Sequence, residues 1–160
     1  MATSAKQAVR PLSADDLDRM IAIDQAHTGR QRRRFFEKRF EAAKAHPQDF
    51  IHVGVSRNGT LVGFAFARVL HGEFGRDKPT AALDLIGVDP DCRDHGYGHA
   101  LLDGLADAMR AAGVRNLHSQ ADWTDHGLLK FFDSAGFELA PRLVLERSVA
   151  APLAEPAEDI

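Results

Sequence analysis

The segment best equipped for chemistry runs Val88-Asp-Pro-Asp-Cys-Arg-Asp-His-Gly-Tyr-Gly98 and continues His99-Ala-Leu-Leu102. An apolar, strand-like run ends at Val88. A proline-containing turn follows, and a helical pattern starts within two glycines. The first turn of a helix carries unpaired N–H groups and a partial positive charge, so a phosphate is favoured there. Gly96 and Gly98 lack a Cβ and allow close backbone approach to a ligand. Arg93 adds a charged, forked donor. The set suits a pyrophosphate. Its spacing, Arg-x-x-Gly-x-Gly, is neither the dinucleotide pattern Gly-x-Gly-x-x-Gly nor a loop ending in Gly-Lys-Ser/Thr. Alone, the pattern reads equally well as a glycine-containing turn; its place between strand and helix favours the phosphate.

The other reactive side chains make weaker constellations. His95 and His99 are four apart and imitate a metal pair, but no third ligand has suitable spacing, so no metal is expected. Cys92 has no paired base in view and reads as a buried turn thiol. His52 and His118 lie in strand-like runs as structural or lining residues. Trp123 reads as a pocket wall or as core. The run Arg30-Gln-Arg-Arg-Arg34 is an ordinary solvated helix face, or a surface for an acidic acceptor or partner.

These residues need a scaffold. Residues 7–12 suggest a short strand, and Ser13 with Asp16 a capping box before a helix striped by Leu17, Met20 and Ile21. That helix fails near Thr28-Gly29. A second helix runs from about Arg30 to Ala45 and is stopped by Pro47. Residues 50–57 and 61–70 form strands joined by Asn58-Gly59, a strong hairpin signal. Residues 81–88 form a third long strand. The helix over 96–112 is expected to bury Leu101, Leu102, Leu105, Met109 and Ala112, and Gly113 caps it. A strand over 115–121, a helix over 125–135 stopped by Gly136, and two closing strands at 137–139 and 143–147 complete the order. The hairpins require antiparallel pairing, and the strand–helix–strand passage through 81–121 a parallel pair.

The chain has 160 residues, with 44 % apolar and 27 % charged side chains, which fits one soluble domain. A net charge of -3 gives no drive towards nucleic acid or a membrane. One cysteine excludes an intrachain disulfide and suits a reducing compartment. No apolar run approaches the roughly 18 residues of a membrane span, and the first residues lack the apolar core of a signal peptide. The expectation is a cytoplasmic protein, with one domain over 1–149 and a mobile, acid- and proline-containing tail over 150–160.

The loop Arg93–Gly98, the preceding Asp84-Leu-Ile-Gly-Val88 and the later Asp125-His-Gly-Leu-Leu-Lys-Phe-Phe-Asp-Ser-Ala-Gly-Phe137 together resemble the GCN5-related N-acetyltransferase (GNAT) superfamily. The resemblance covers roughly residues 7–148. It implies an α/β (α+β) fold: a mixed, mostly antiparallel sheet of six to seven strands, about four flanking helices and a splayed parallel strand pair. It also implies acetyl-CoA as co-substrate. The pyrophosphate falls to Arg93, Asp94, His95, Gly96, Tyr97 and Gly98, with His99 adjoining. The pantetheine arm falls to the backbone of Ile86, Gly87 and Val88, where Gly87 fits a bulge that splays the strand. Asp125 and Phe132 stand where the family carries an asparagine and a tyrosine; that tyrosine contacts CoA and protonates the leaving thiolate in many members.

Acetyl transfer to an amine requires removal of the amine's proton, and a lysine-like amine has a pKa of about 10.4. Asp84 is the candidate base. It lies in an otherwise apolar strand, at a position where many family members carry an acid, and alternation puts it on the face of Ile86 and Val88. Its alternative is a structural carboxylate. An N–H of residues 86–88 would polarise the thioester carbonyl. Phe132 cannot donate a proton, and Tyr97 is the only tyrosine. In this family Thr28, Gly29 and Arg30 border the acceptor. The reading is an N-acetyltransferase for a primary amine of a small molecule or protein. Its alternative is a non-catalytic acyl-CoA-binding module. The partners expected are acetyl-CoA and the amine, without nucleic acid or membrane, and a homodimer is left open.

Overall fold

A computed structural model describes residues 7–150. Five strands lie in the order β1 (Val9–Arg10), β2 (Phe50–Arg57), β3 (Thr60–Leu70), β4 (Thr80–Val88), β5 (Leu117–His118). All neighbours are antiparallel except β4 and β5, which are parallel. The helices are α1 (Leu17–Thr28), α2 (Arg33–Ala45), α3 (Tyr97–Ala111) and α4 (His126–Ser134). The expected mixed α+β class holds.

Each expected hairpin and cap has a visible cause. Asn58 and Gly59 both have positive φ (52° and 79°), the conformation of a two-residue turn matched to strand twist. Ser13 N–H donates to Asp16 Oδ2 (2.8 Å), and Arg10 grips the same buried carboxylate with two bonds of 2.7 and 2.8 Å. The Arg10 guanidinium and the Ser13 N–H hold the Asp16 carboxyl below its usual range, against a smaller effect of burial.

Apolar side chains fill both faces of the sheet. On one face α3 and α4 cover Val53, Val55, Ala65, Ala67, Ala81 and Leu83. On the other, α1 and α2 cover Leu61, Phe64, Phe66 and Leu85. Phe36 meets Phe64 edge-on at 5.9 Å, and Phe40 meets Phe66 likewise at 6.1 Å. Such pairs contribute about 0.5–1.5 kcal/mol beyond area burial.

The structure departs from the sequence reading at four places. Residues 137–139 and 143–147 are not strands, so the sheet has five strands among the described residues rather than six or seven. Among the described residues no strand pairs with them, and a strand without a partner strand is not held. β5 keeps only two paired residues of the seven expected. The bulge in β4 falls at Asp84 rather than Gly87: Phe66 pairs with Leu85 and Ala67 with Leu83, leaving Asp84 unmatched. That extra residue inverts the alternation. Asp84 therefore faces α2, whereas Ile86 and Val88 pack against the α3 side. Most of the expected tail, residues 151–160, lies outside the described residues.

His52 supplies a test of the core. Its Nδ1 accepts the Leu12 N–H (3.1 Å), and its ring stacks on Phe66 at 5.0 Å. Burial pushes its pKa below the usual imidazole value. The unfolded chain takes up this proton near pH 6.5, while the folded chain resists it. Stability therefore falls as pH drops below about 6.5. His118 shifts in the same direction through burial and then Arg142 and Arg76. His52→Asn keeps an acceptor for Leu12 and removes the titration. Its melting temperature should fall less between pH 7.5 and 5.5 than that of the parent protein; an unchanged slope would contradict this role for His52.

Candidate functional site

β4 has a complete neighbour on one side only. Ala81 and Ala82 pair with Leu117 and His118, and the Ser119 hydroxyl donates to the Leu83 carbonyl (2.8 Å). Beyond that bond the two strands part, and among the described residues no strand pairs with residues 84–88 on the β5 side. Asp89 N–H donates to Val62 O on β3 (2.7 Å). Antiparallel pairs alternate between groups facing the partner and groups facing away, so Val88 and Ile86 direct theirs into the gap. His27, on the last turn of α1, closes one of them: its Nε2–H donates to Val88 O (2.7 Å), and its Nδ1 faces Arg93 Nη2 at 3.4 Å. Among the described residues, the Val88 N–H and both backbone groups of Ile86 are left without a protein partner. Gly87 sits opposite Phe64, where a Cβ would lie 3.1 Å from that ring and 3.2 Å from Ile23.

The turn after β4 is clamped before it reaches the glycines. Asp89 accepts from the Asp91 N–H (3.0 Å) and from Arg19 Nη2 (2.8 Å), while Arg19 Nε also donates to Leu61 O (3.1 Å). The Asp91 N–H and then Arg19 hold the Asp89 carboxyl below its usual range. Asp94 and Gly96 both take left-handed backbone (φ 63° and 77°), and α3 starts directly afterwards. At Gly96 a Cβ meets nothing within 4 Å, so the glycine serves the backbone angle. Gly98 serves packing: a Cβ there would lie 2.8 Å from the Phe131 ring of α4.

The remaining loop residues divide between solvent and core. Arg93 is exposed beside His27. His95 turns back onto the Arg93 carbonyl (2.6 Å), and His99 contacts the Ser134 hydroxyl (3.0 Å). Tyr97 and Cys92 are buried among the α3-side apolar residues. Among the described residues, no group of three or more His, Cys, Asp or Glu side chains could hold a metal ion.

Asp84 is not free. Arg39 Nη2 lies 2.8 Å from its Oδ2. The guanidinium itself sits over the rings of Phe35 (5.2 Å) and Phe66 (5.9 Å). Arg39, Arg19 and His27 were not singled out from sequence. Arg39 is half-buried on α2 and His27 is exposed on the last turn of α1, and periodicity there reads only helix faces.

The connection between α1 and α2 is held mainly by charge. Gly29 closes α1 in left-handed backbone, and Thr28 Oγ1 donates to Asp24 O (3.0 Å). Within the basic run, Arg32 clamps the buried Asp24, its Nε donating to Oδ2 at 2.8 Å, and Arg33 reaches Asp18 at 2.7 Å. These two arginines hold α2 against α1. Arg30 is exposed. Trp123 is 87 % exposed, which corrects its reading as core. Asp125 caps α4, accepting the Leu128 N–H at 3.0 Å. Phe132 is buried and packs on Phe137 (4.7 Å between ring centres).

The family model described as "Acetyltransferase (GNAT) family" matches residues 17–137. The chain belongs to the GNAT family. It is 30 % identical over 130 residues to a mycothiol acetyltransferase of Propionibacterium freudenreichii, covering 78 % of this chain and 41 % of that protein. It is 30 % identical to the ribosomal-protein alanine N-acetyltransferase of Escherichia coli over 65 % of this chain and 64 % of that one. The chain thus spans two fifths to just under two thirds of these curated relatives. Among solved structures, the aminoglycoside N-acetyltransferase AAC(6')-Iy in complex with CoA superposes with a TM-score of 0.75 at 18 % identity, over 89 % of this chain and 95 % of that one. That likeness is one of fold.

In this GNAT chain Gly98→Ala should be destabilising. Ala favours a helix over Gly by up to about 1 kcal/mol, but the collision with Phe131 is an overpacking change of about 1–3 kcal/mol. Urea unfolding of Gly98→Ala, Phe131→Leu and the double variant should show that the smaller residue at 131 recovers most of the loss. Additive effects would refute this packing role.

Proposed function

We propose that this chain is an acetyl-CoA-dependent N-acetyltransferase acting on a primary amine. The observation that carries the reading is the half-paired β4: three backbone groups of Ile86 and Val88 open into the gap made by β5, directly before a left-handed turn at a helix N-terminus. An unpaired row of strand groups fits an extended, amide-containing arm, and the helix start fits its phosphates. The fit belongs to acetyl-CoA, which supplies an acetyl thioester when bound. The named relatives, an aminoglycoside N-acetyltransferase seen with CoA among them, support the same reading.

The residues then divide as follows. Residues 93–98 hold the pyrophosphate, chiefly by backbone N–H groups, with Arg93 as the charged contact. The Val88 N–H is the donor for the thioester oxygen. The acceptor nitrogen forms its bond to the acetyl carbon as the carbon–sulfur bond breaks. The proton lost by nitrogen goes to Asp84, directly or through water. The sulfur leaves as thiolate and takes its proton from water, because Phe132 has no hydroxyl and the only tyrosine, Tyr97, is buried at the start of α3. A thiolate with a pKa of about 8.5 is a fair leaving group. Arg39 holds one oxygen of Asp84 and leaves the other for the acceptor. Thr28, Gly29, Arg30 and Trp123 border the acceptor's approach.

One observation favours a second reading. Asp84 is engaged by Arg39, and no tyrosine replaces Phe132, so a non-catalytic acyl-CoA-binding module is the alternative. Thiol release from acetyl-CoA across a panel of amines separates the two, since a binding module releases none, and Asp84→Asn then tests the base. In an enzyme, kcat should fall by roughly 10²–10⁴ with acetyl-CoA affinity nearly unchanged. The loss should shrink at high pH, where more acceptor is already neutral. A fully active but less stable variant would remove Asp84 from the chemistry.

The phosphate assignment has its own test. Gly96→Glu and Gly96→Asn replace the same left-handed glycine, and asparagine tolerates that backbone best. Only glutamate adds negative charge where the pyrophosphate binds. Calorimetry should show CoA affinity retained in Gly96→Asn and lost in Gly96→Glu, with both variants folded by circular dichroism. Retained affinity in the glutamate variant would overturn the assignment.

A further inference from the structure

A group of cations lies on the sheet face that carries Asp84. Residues paired directly across neighbouring strands share a face. The register puts Phe50, Arg68, Ala82 and His118 in one row across β2, β3, β4 and β5. Phe50 packs on the core beneath α1 and α2, so the row belongs to that face. From Leu61 to Leu70, β3 is buried at every position except Arg68, which is exposed. Arg68 and His118 flank Ala82, two strand spacings or about 10 Å apart. Arg76, in the connection from β3 to β4, and Arg142, beyond α4, are close enough to His118 to depress its pKa, and no carboxylate opposes them there.

Elsewhere in this chain arginines fasten acids: Arg10, Arg19, Arg32, Arg33 and Arg39 each hold an aspartate. Among the described residues, Arg68, Arg76 and Arg142 enter no ion pair, and Asp49, beside Phe50, is engaged by His71 instead (3.1 Å). Cations gathered without a carboxylate repel one another, and the planar fork of arginine matches a carboxylate or phosphate.

We propose that Arg68, Arg76 and Arg142, grouped about His118, bind an anionic group of the acceptor, a carboxylate or phosphate several bonds away from the amine nitrogen. The assignment rests on the acetyl-transfer reading, in which Asp84 takes the amine's proton. Ala82 lies two residues before Asp84, about 6–7 Å along the strand, so one small molecule spans both. Arg39 already balances the charge of Asp84. The surroundings are therefore net positive, which favours an acceptor with an anionic end and repels one whose only charges are ammonium groups.

Inorganic phosphate titrated into the full chain should raise the pH midpoint of the His118 imidazole, followed by NMR, because an anion among the arginines offsets the charge that lowers it. The rise should vanish in Arg76→Gln/Arg142→Gln and shrink in Arg68→Gln, with the fold kept by circular dichroism, since none of the three belongs to the core. A midpoint unmoved by tens of millimolar phosphate, or raised equally in the variants, would overturn the anion site. With acetyl-CoA, kcat/KM for thiol release should favour 5-aminopentanoate over its amide, or phosphoethanolamine over ethanolamine, by roughly 10–100-fold. Arg68→Gln should remove most of that preference, and the pair that shows it names the anion. Equal rates within both pairs would separate the patch from the acceptor and overturn the proposal. A phosphate response at His118 without acetylation of any of the four amines would support the anion site and count against acetyl transfer itself.

Discussion

Two residues of β5 pair with β4, and then the strands separate. Everything distinctive about the site depends on that separation. Had β5 continued alongside residues 84–88, the backbone groups of Ile86 and Val88 would be consumed inside the sheet. Instead Ser119 ends the pairing at Leu83 with a side-chain bond. Leaving backbone groups unpaired costs free energy unless water or a ligand satisfies them. A half-paired strand is thus a local instability that a ligand with its own amides can relieve.

The bulge at Asp84 is the second constraint. Without it, Asp84 would alternate with Ile86 and Val88 onto the α3 face, which is filled by Leu101, Leu105 and Phe132. The extra residue turns the carboxylate to the α2 face, where Arg39 meets it. The same inversion leaves Leu85 in the phenylalanine core beneath α1 and α2. One unmatched residue therefore places an acid and an apolar side chain on the same face and sets apart the strand's end, whose backbone faces the gap.

Charge holds the helices that flank this gap. Arg10 to Asp16, Arg32 to Asp24, Arg33 to Asp18 and Arg19 to Asp89 tie α1 to β1, α2 and the turn after β4. Exposed pairs of this kind contribute about 0–1 kcal/mol each. Asp16 and Asp24 are different, because their carboxylates are buried. Removing either partner arginine would leave a buried charge unpaired, at a cost of roughly 3–5 kcal/mol. The basic run at Arg30–Arg34 is accordingly in large part a fastening between two helices.

Much of this protein was legible in the sequence. Periodicity, the Asn58-Gly59 turn and the glycine stops at 29, 113 and 136 located four helices and three long strands, because these signals are local and each has a local cause. The turn proposed to hold the pyrophosphate was visible as a structural feature for the same reason: a strand, an Arg-x-x-Gly-x-Gly turn and a helix follow one another in the chain. Tertiary structure alone decided the rest. Alternation could not foresee the bulge at Asp84, since a bulge depends on the register with β3. Arg39, Arg19 and His27 reach the site from helices distant in sequence, where spacing carries no information about what they touch. Gly98 looked like a residue reserved for a ligand, and its neighbour proved to be Phe131. The apolar runs after Phe137 carry the composition of strands, but a strand exists only where a partner edge is offered, and that is a property of the assembled sheet.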